Sequence, residues 1–136
     1  IGIPDRVLNK PGKLDPDEWA IMQTHALIGF EVLNKSDKRV LQLGATIAHE
    51  HHESWNGEGY PRGLKGADIH IAGRIVAIAD VLDALVSPRC YKIAWQFSDA
   101  VDYIRQGAGR HFDPELVALF LANLPAIEEI YRKYPD

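Results

Sequence analysis

Two adjacent histidines, His51 and His52, close an apolar helical stretch and are followed at once by a glycine-rich loop, residues 54–69. Imidazole is the commonest protein ligand for transition metals, and glycines let the backbone approach a ligand closely. The loop is longer than most connections between helices, and long ordered loops usually carry function. The stretch therefore predicts a ligand site in which metal binding is the first chemistry to consider.

Two further side chains extend this metal hypothesis. His25 lies near the apolar stripe of a predicted helix, and Asp80 interrupts the most apolar helical stretch of the chain. Mixed imidazole and carboxylate ligands suit iron, manganese, zinc or nickel, and helical proteins build such sites from inward-facing side chains. His25, His51, His52 and Asp80 together form a candidate metal site, although the set is too small for two metals.

Several of these residues also have a plainer interpretation. A single histidine such as His25 is more often a hydrogen-bonded core residue than a metal ligand. Asp83, one helical turn after Asp80, is expected either to pair with Arg89 or to bind a ligand. Arg89 and Lys92, just beyond the end of that helix, could form a seat for a phosphate group, but isolated charges usually belong to the solvated surface. Both interpretations stand at this point.

The other polar residues near the histidine pair are assigned to walls or to the surface. Tyr60 is expected to be a packing residue or part of a substrate wall, and the glycines around it favour the wall. His49 and Glu50 are expected to face solvent, because they lie on the side of the helix opposite its apolar residues. The same is expected of His70 and His111.

The elements that position these residues are predicted to be helices. Residues 15–18 combine an aspartate at the N-cap, a proline at the first helical position and a glutamate at the third, which is a capping-box pattern. Apolar residues then recur at three- and four-residue steps, namely Trp19, Met22, Ala26, Gly29 and Leu33. Further helices are predicted over residues 39–53, 71–86, 98–106 with Ser98 as the cap, 114–122, and a short one after Pro125. The helix over 71–86 is expected to be the central, most buried one, and no alternating tract predicts a sheet.

The composition restricts the class of protein. A chain of 136 residues fits one domain with a real core, and its 46% apolar and 25% charged residues are ordinary for a soluble globular protein. The net charge of -4 argues against binding a long nucleic acid. No apolar run approaches about 20 residues, which argues against direct membrane contact. The single cysteine, Cys90, suits a reducing compartment and favours the cytoplasm.

The sequence HHESWNGEGYPRGLKG resembles the signature of HD-GYP domains, with Gly59–Tyr60–Pro61 as the tripeptide in the name. Other blocks resemble the family in the expected order, namely IGIPDRVLNKPGKLDPDEW, MQTHALIGFEVL, RIVAIADVLDAL, RCYK and HFDPELVALF. The resemblance implies an all-α, HD-superfamily helical bundle. In the family, a His-Asp pair followed by Ile-Gly-Lys comes immediately before the segment that here begins at Ile1. Residues 1–136 are therefore expected to be the C-terminal major part of one HD-GYP domain, truncated at the N-terminus.

The resemblance also implies a reaction and roles for individual residues. The activity is that of a metal-dependent phosphodiesterase, which hydrolyses cyclic di-GMP to pGpG or GMP with metal-activated water. The metal ligands that it implies are His25, His51, His52 and Asp80, of which His51, His52 and Asp80 are expected to be catalytic. The substrate-binding residues that it implies are Arg89, Lys92, Asp83 and Tyr60. Iron or manganese is the expected metal, with zinc and nickel as alternatives.

The missing His-Asp pair leaves two alternatives to an active enzyme. The 136 residues alone are expected to be inactive, because part of the family's metal site lies upstream. One alternative is a catalytically silent HD-GYP module that senses nucleotide or docks onto a diguanylate cyclase domain. The other is an HD phosphohydrolase for a different nucleotide, which the GYP loop disfavours. The expected partners are cyclic di-GMP, an upstream regulatory domain and, for docking, the cyclase domain.

Overall fold

The computed structural model of the chain describes residues 2–88 and 93–134, and within them the regular structure is helical. The helices are α1 (Asp5–Leu8), α2 (Pro16–Leu33), α3 (Arg39–Glu50), α4 (Ile71–Val86), α5 (Phe97–Gln106), α6 (Pro114–Ala122) and α7 (Leu124–Lys133), with a 3₁₀ turn at Gly66–Asp68. An isolated bridge between Ala108 and Phe112 is the sole sheet-like pairing in these ranges. The prediction of an all-α fold is confirmed.

Helix α2 begins at the predicted capping box. The Asp15 carboxylate accepts a hydrogen bond from the Glu18 backbone N–H at 2.8 Å, and the Glu18 carboxylate accepts one from the Asp15 N–H at 3.0 Å. Lys10 also donates to Glu18 at 2.5 Å, which joins the segment after α1 to the first turn of α2. The hydrogen bonds from Lys10 and from the Asp15 backbone lower the pKa of Glu18 to about 2. Trp19 departs from the predicted apolar stripe, since the residue is 46% exposed.

Helix α3 ends at Glu50, three residues before the predicted end. His51 is the C-cap and still donates its N–H to the Ile47 carbonyl, whereas the Glu53 N–H donates to the Glu50 carbonyl in a tighter turn. The chain turns there because the Glu53 side chain is buried beneath the following loop instead of continuing the helix surface. His52 and Glu53 therefore belong to the turn and not to the helix.

Helix α4 has the predicted bounds and contacts α3, α5 and α6. It buries five residues, more than any other described helix, namely Gly73, Ala77, Ile78, Leu82 and Leu85. Its opposite face is open, since Ile71 and Ile75 are each 50% exposed. Among the described helices, α4 is therefore the most buried, as predicted, although one of its faces is open.

The C-terminal helices build the main core against α4. Its buried members are Ile78, Leu82, Leu85, Ala100, Val101, Ile104, Phe112, Val117 and Phe120. Helix α5 begins at Phe97 with Gln96 at the N-cap, so the prediction of Ser98 as the cap is wrong. The helix begins one residue earlier than predicted, at Phe97, and the Phe97 side chain packs against this core. Helix α6 begins at Pro114 as predicted, and its N-cap, Asp113, accepts a hydrogen bond from the Glu115 N–H at 2.9 Å.

None of the helices in the described ranges combines the length and the apolar character that a membrane crossing requires.

We expect Asp15→Ala to lower the free energy of unfolding by about 1 kcal/mol, because it removes the acceptor for the Glu18 N–H and one half of the capping box. Urea denaturation followed by circular dichroism measures the change. The control is Asp37→Ala, an exposed position between α2 and α3, which is expected to change stability by less than about 0.5 kcal/mol. Equal losses in the two variants would contradict a specific role for the cap.

Candidate metal centre

Three histidines, one from α2 and two from the turn after α3, converge at the end of α3. His25 comes from the middle of α2, His51 caps α3 and His52 follows it. One ring nitrogen from each lies within 4.8 Å of the others, and the ring centroids are separated by 4.0–5.7 Å. Helices α2 and α3 approach closely here, since a Cβ added to Gly29 would lie 3.1 Å from the Ala48 Cβ. The fold thus brings together three of the four predicted metal ligands.

Backbone carbonyls orient two of the three rings. The His25 Nδ1–H donates to the Met22 carbonyl at 2.7 Å, and the His51 Nδ1–H donates to the Ile47 carbonyl at 2.8 Å. With the proton on Nδ1, each ring keeps its Nε2 lone pair free for a metal. Such a hydrogen bond on the far nitrogen is the usual support for a metal-binding histidine.

The third ring, His52, is held in its neutral form. Burial lowers its pKa to about 3, with further lowering by His51, His25 and His111. A histidine must be neutral to bind a metal, so this environment favours coordination over protonation. Three half-buried imidazoles fit a transition-metal ion, and this donor set agrees with the predicted metal site.

Asp80 lies on α4, and its role as a metal ligand stays a prediction. Among the described residues, the group that could share one ion comprises the three histidines alone. The Asp80 side chain is exposed. Its carboxylate does reach the neighbourhood of Tyr60, since burial and the Asp80 charge together raise the pKa of the Tyr60 phenol to about 12. The apolar sequence around Asp80 predicts a buried carboxylate, and its exposed side chain shows that this prediction of burial is wrong.

The structure describes only part of the predicted phosphate-binding region at the end of α4. Asp83 is half-buried near the end of α4 and accepts a hydrogen bond from the Ser87 hydroxyl at 3.3 Å. Arg89 and Lys92 lie outside the described residues, and so does the expected pairing of Asp83 with Arg89.

The Glu53 carboxylate holds the loop that carries Gly59–Tyr60–Pro61, here called the GYP loop. Glu53 is 2% exposed, and its two oxygens accept hydrogen bonds from the backbone N–H groups of Arg62 at 3.0 Å and Leu64 at 2.9 Å. The Tyr60 N–H also donates to the His52 carbonyl at 3.1 Å. These bonds fold the loop back over the turn and stack the Tyr60 ring on His52, with centroids 5.0 Å apart and planes at 16°.

Gly59 is required by this close return of the loop. A Cβ at position 59 would lie 2.3 Å from the Ser54 nitrogen and 2.5 Å from the His52 carbonyl oxygen. Backbone atoms cannot give way as a flexible side chain can, so a glycine is needed for steric reasons. The following Tyr60–Pro61 peptide bond is cis.

Glu50, predicted to face solvent, is buried and joins the loop to α4. It is 8% exposed, accepts a hydrogen bond from the His70 N–H at 2.8 Å and lies 3.5 Å from the Arg62 guanidinium. Gly73 of α4 makes room for it, since a Cβ there would lie 3.0 Å from the Glu50 Cβ. An isolated glycine inside a helical pattern often has such a packing reason, and it was the one sequence signal for this contact.

The predictions for the other three histidines have mixed outcomes. His49 is half-buried and stacks on Phe30 at 4.3 Å, so its expected solvent position is wrong, and burial followed by the Arg62 charge lowers its pKa. His111 is also half-buried, stacks on Phe112 at 4.3 Å and has its pKa lowered by burial. His70 is exposed as predicted, and its Nδ1 accepts a hydrogen bond from the Ala72 N–H at the start of α4.

The connection between α5 and α6 anchors the other side of the GYP loop. The carbonyls of His111 and Arg110 accept hydrogen bonds from the N–H groups of Trp55 at 3.0 Å and Asn56 at 2.8 Å. Arg74 of α4 reinforces the connection, since it donates to Asp113 at 2.6 Å and places its guanidinium 5.8 Å from the Trp55 ring.

Comparison with known proteins agrees with this arrangement. Residues 1–116 match the family described as HD domain. The chain is 48% identical over its whole length to 3′3′-cGAMP-specific phosphodiesterase 2 of Vibrio cholerae, and 49% identical to a cyclic di-GMP phosphodiesterase of Thermotoga maritima. It spans 26% and 37% of the lengths of these two proteins.

A solved structure has the same fold. It is that of a cyclic GMP-AMP specific phosphodiesterase of Vibrio cholerae, with a TM-score of 0.67 and 22% sequence identity. The match covers 93% of the present chain and 32% of that chain. At this identity the likeness shows a common fold, which supports the helical arrangement described above.

We expect Gly59→Ala to lower the free energy of unfolding by roughly 1–3 kcal/mol, because the new methyl group overlaps backbone on both sides of the turn. Urea denaturation measures this loss. The control is Gly12→Ala, where a Cβ meets nothing within 4 Å, and this variant is expected to remain within about 0.5 kcal/mol of the wild type. A Gly59→Ala variant as stable as the Gly12→Ala variant would show that the loop does not return so closely.

We expect Glu53→Gln to lower the free energy of unfolding by about 1–3 kcal/mol. The amide keeps one acceptor oxygen, so the second loop N–H would face the amide NH₂ group, which is also a donor. Hydrogen exchange at the Arg62 and Leu64 amides, measured by NMR, reports the loss directly as faster exchange. Glu58→Gln, an exposed change in the same loop, serves as the matched control. Unchanged protection of both amides in Glu53→Gln would show that the Glu53 carboxylate does not hold the loop.

Proposed function

From the premise that this chain belongs to the HD domain family, which residues 1–116 establish, we propose that its protein is a metal-dependent phosphodiesterase acting on cyclic di-GMP. The observation that carries the proposal is the cluster of His25, His51 and His52 beneath the Tyr60 ring. Metal ligands and a shaped aromatic wall at one place suit the hydrolysis of a nucleotide phosphodiester. The names of the relatives support the same class of substrate.

The proposed metal site uses the side chains that already meet the requirements for coordination. His25 and His51 present Nε2 lone pairs, and His52 is kept neutral by burial. Asp80 is proposed as a carboxylate ligand from the facing helix. A bound divalent metal, with iron or manganese preferred and zinc or nickel as alternatives, supplies Lewis acidity at the phosphoryl oxygen and lowers the pKa of the attacking water.

The proposed reaction is hydrolysis of a phosphodiester bond. The water oxygen forms a bond to phosphorus, the bond from phosphorus to the 3′ oxygen breaks, and a proton ends on that oxygen to give pGpG. A second hydrolysis gives GMP. Tyr60 stays protonated at neutral pH because its pKa is about 12, so its hydroxyl can donate a hydrogen bond to the substrate. Arg89, Lys92 and Asp83 are proposed to bind the remaining phosphate and base groups.

A second substrate follows from one of the comparisons. The Vibrio cholerae relative named for 3′3′-cGAMP is as similar to this chain as the relative named for cyclic di-GMP, at 48% and 49% identity. The two dinucleotides differ in one purine and share the phosphodiester bonds. We therefore include 3′3′-cGAMP as the competing substrate in the test below.

The setting of the domain is also part of the proposal. Residues 1–136 are proposed as the C-terminal major part of one HD-GYP domain, connected to an upstream regulatory domain. A diguanylate cyclase domain is the proposed protein partner. The single cysteine supports a reducing compartment, and we propose the cytoplasm.

The test is hydrolysis of cyclic di-GMP and 3′3′-cGAMP by the protein at its natural full length, supplied with manganese or ferrous iron. We expect His51→Ala to lower kcat/KM by at least roughly 100-fold and to reduce the bound metal, because it removes a ligand. His70→Asn is the control, since it changes an exposed histidine and keeps a side chain that can cap α4.

Two outcomes would change the proposal. The absence of turnover by the metal-loaded wild type with either dinucleotide would overturn the enzyme assignment, and nucleotide binding without turnover would favour the catalytically silent module. Faster hydrolysis of 3′3′-cGAMP than of cyclic di-GMP would replace the proposed substrate while keeping the reaction.

A further inference from the structure

Trp19 lies beside Tyr60 at the edge of the candidate metal centre and is partly exposed to solvent. The apolar pattern predicts it on the buried stripe of α2, yet the residue is 46% exposed. Its indole makes an edge-to-face contact with Tyr60, with centroids 5.7 Å apart and planes at 81°. Trp19 is therefore partly exposed while its indole ring is held on one side by Tyr60.

The Tyr60 contact connects Trp19 to the histidines. Tyr60 stacks on His52 at 5.0 Å and contacts the edge of His25 at 6.1 Å, so Trp19 is two ring contacts away from the cluster. The three rings of His52, Tyr60 and Trp19 form a continuous series, here called the aromatic ladder. The ladder leads from the proposed metal ligands to solvent.

An exposed, oriented indole beside a phosphodiester site has a clear chemical use. Purines stack on aromatic side chains, and one such contact is worth roughly 5- to 150-fold in affinity. A nucleotide extends from its phosphate to its base, and a ligand whose phosphate lay at the histidines would direct a base along the ladder. Tyr60 has its ring face against His52, whereas Trp19 retains open surface.

We infer that Trp19 stacks on a purine base of the substrate and is a binding residue of the site. The inference rests on the proposed function, because a substrate with a base is required. Trp19 contributes to ground-state and transition-state binding equally, since the base does not change during hydrolysis. Its loss therefore raises KM and leaves kcat nearly unchanged.

A purely structural role makes a different prediction. If Trp19 only supported Tyr60, its removal would loosen the GYP loop and disturb the ring that covers His52. The loss would then appear in kcat and in the bound metal and not in KM. The ratio of the two kinetic constants distinguishes these roles.

The experiment compares Trp19→Ala and Trp19→Phe in the protein at its natural full length, with manganese bound and cyclic di-GMP as the probe. We expect Trp19→Ala to raise KM roughly 5- to 150-fold, with kcat within about twofold of the wild type. Trp19→Phe restores most of the affinity because it restores a ring face. Bound metal is measured in each variant and is expected to be unchanged.

Trp95 provides a matched control. It is 39% exposed and contacts the edge of a tyrosine, Tyr103, with centroids 5.8 Å apart and planes at 87°. Trp95→Ala therefore removes an indole of nearly the same exposure and geometry from a different tyrosine. Its KM for cyclic di-GMP is expected to stay within about twofold of the wild type.

The outcomes separate the inference from the proposed function. No turnover by the wild type overturns the proposed function and the inference with it. Turnover by the wild type with an unchanged KM in Trp19→Ala overturns the inference alone. A lower kcat or a loss of metal at an unchanged KM also overturns it and assigns Trp19 to the support of Tyr60. An equal rise in KM in Trp95→Ala overturns the specific role of Trp19.

Discussion

The arrangement of the site depends on the hydrogen bonds that the buried carboxylate of Glu53 accepts. Glu53 directs both oxygens at backbone N–H groups of the GYP loop, nine and eleven residues further along the chain. A buried carboxylate is costly unless it is well hydrogen-bonded, so these two bonds stabilise Glu53 and the loop together. The Tyr60 N–H also donates to the His52 carbonyl, and the Tyr60 ring stacks on the His52 ring. The position of the Tyr60 ring therefore depends on the turn after α3, which contains Glu53.

The C-terminal helices contribute to the site although they carry none of the clustered histidines. Their connection accepts hydrogen bonds from Trp55 and Asn56, and Arg74 with Asp113 fixes that connection to α4. The GYP loop is thus held from two directions, by the turn after α3 through Glu53 and by the main core through residues 110–113. A rigid loop can present a ring at a fixed position, which a loop anchored at its ends alone cannot do.

The features that follow from local sequence patterns were predictable. The capping box of α2, the bounds of α4 and the cap of α6 each rest on neighbouring residues. The convergence of His25 with His51 and His52 also followed from patterns on two helices. Glu50 was misplaced because its partners, His70 and Arg62, are distant in sequence and leave no periodic signal. Asp80 and Trp19 were misplaced because an apolar helix can bury one face only, and periodicity does not say which polar or aromatic residues remain outside.

The carbonyls that orient His25 and His51 belong to the same helices as the rings that they hold. Each imidazole is directed by the peptide one turn behind it, and the side chains at Met22 and Ile47 take no part in that hydrogen bond. The helical backbone therefore sets the orientation of the His25 and His51 rings. Substitutions at Met22 and Ile47 would leave these hydrogen bonds in place, because the acceptors are backbone carbonyls. The orientation of the His25 and His51 rings is therefore robust to mutation at these two positions.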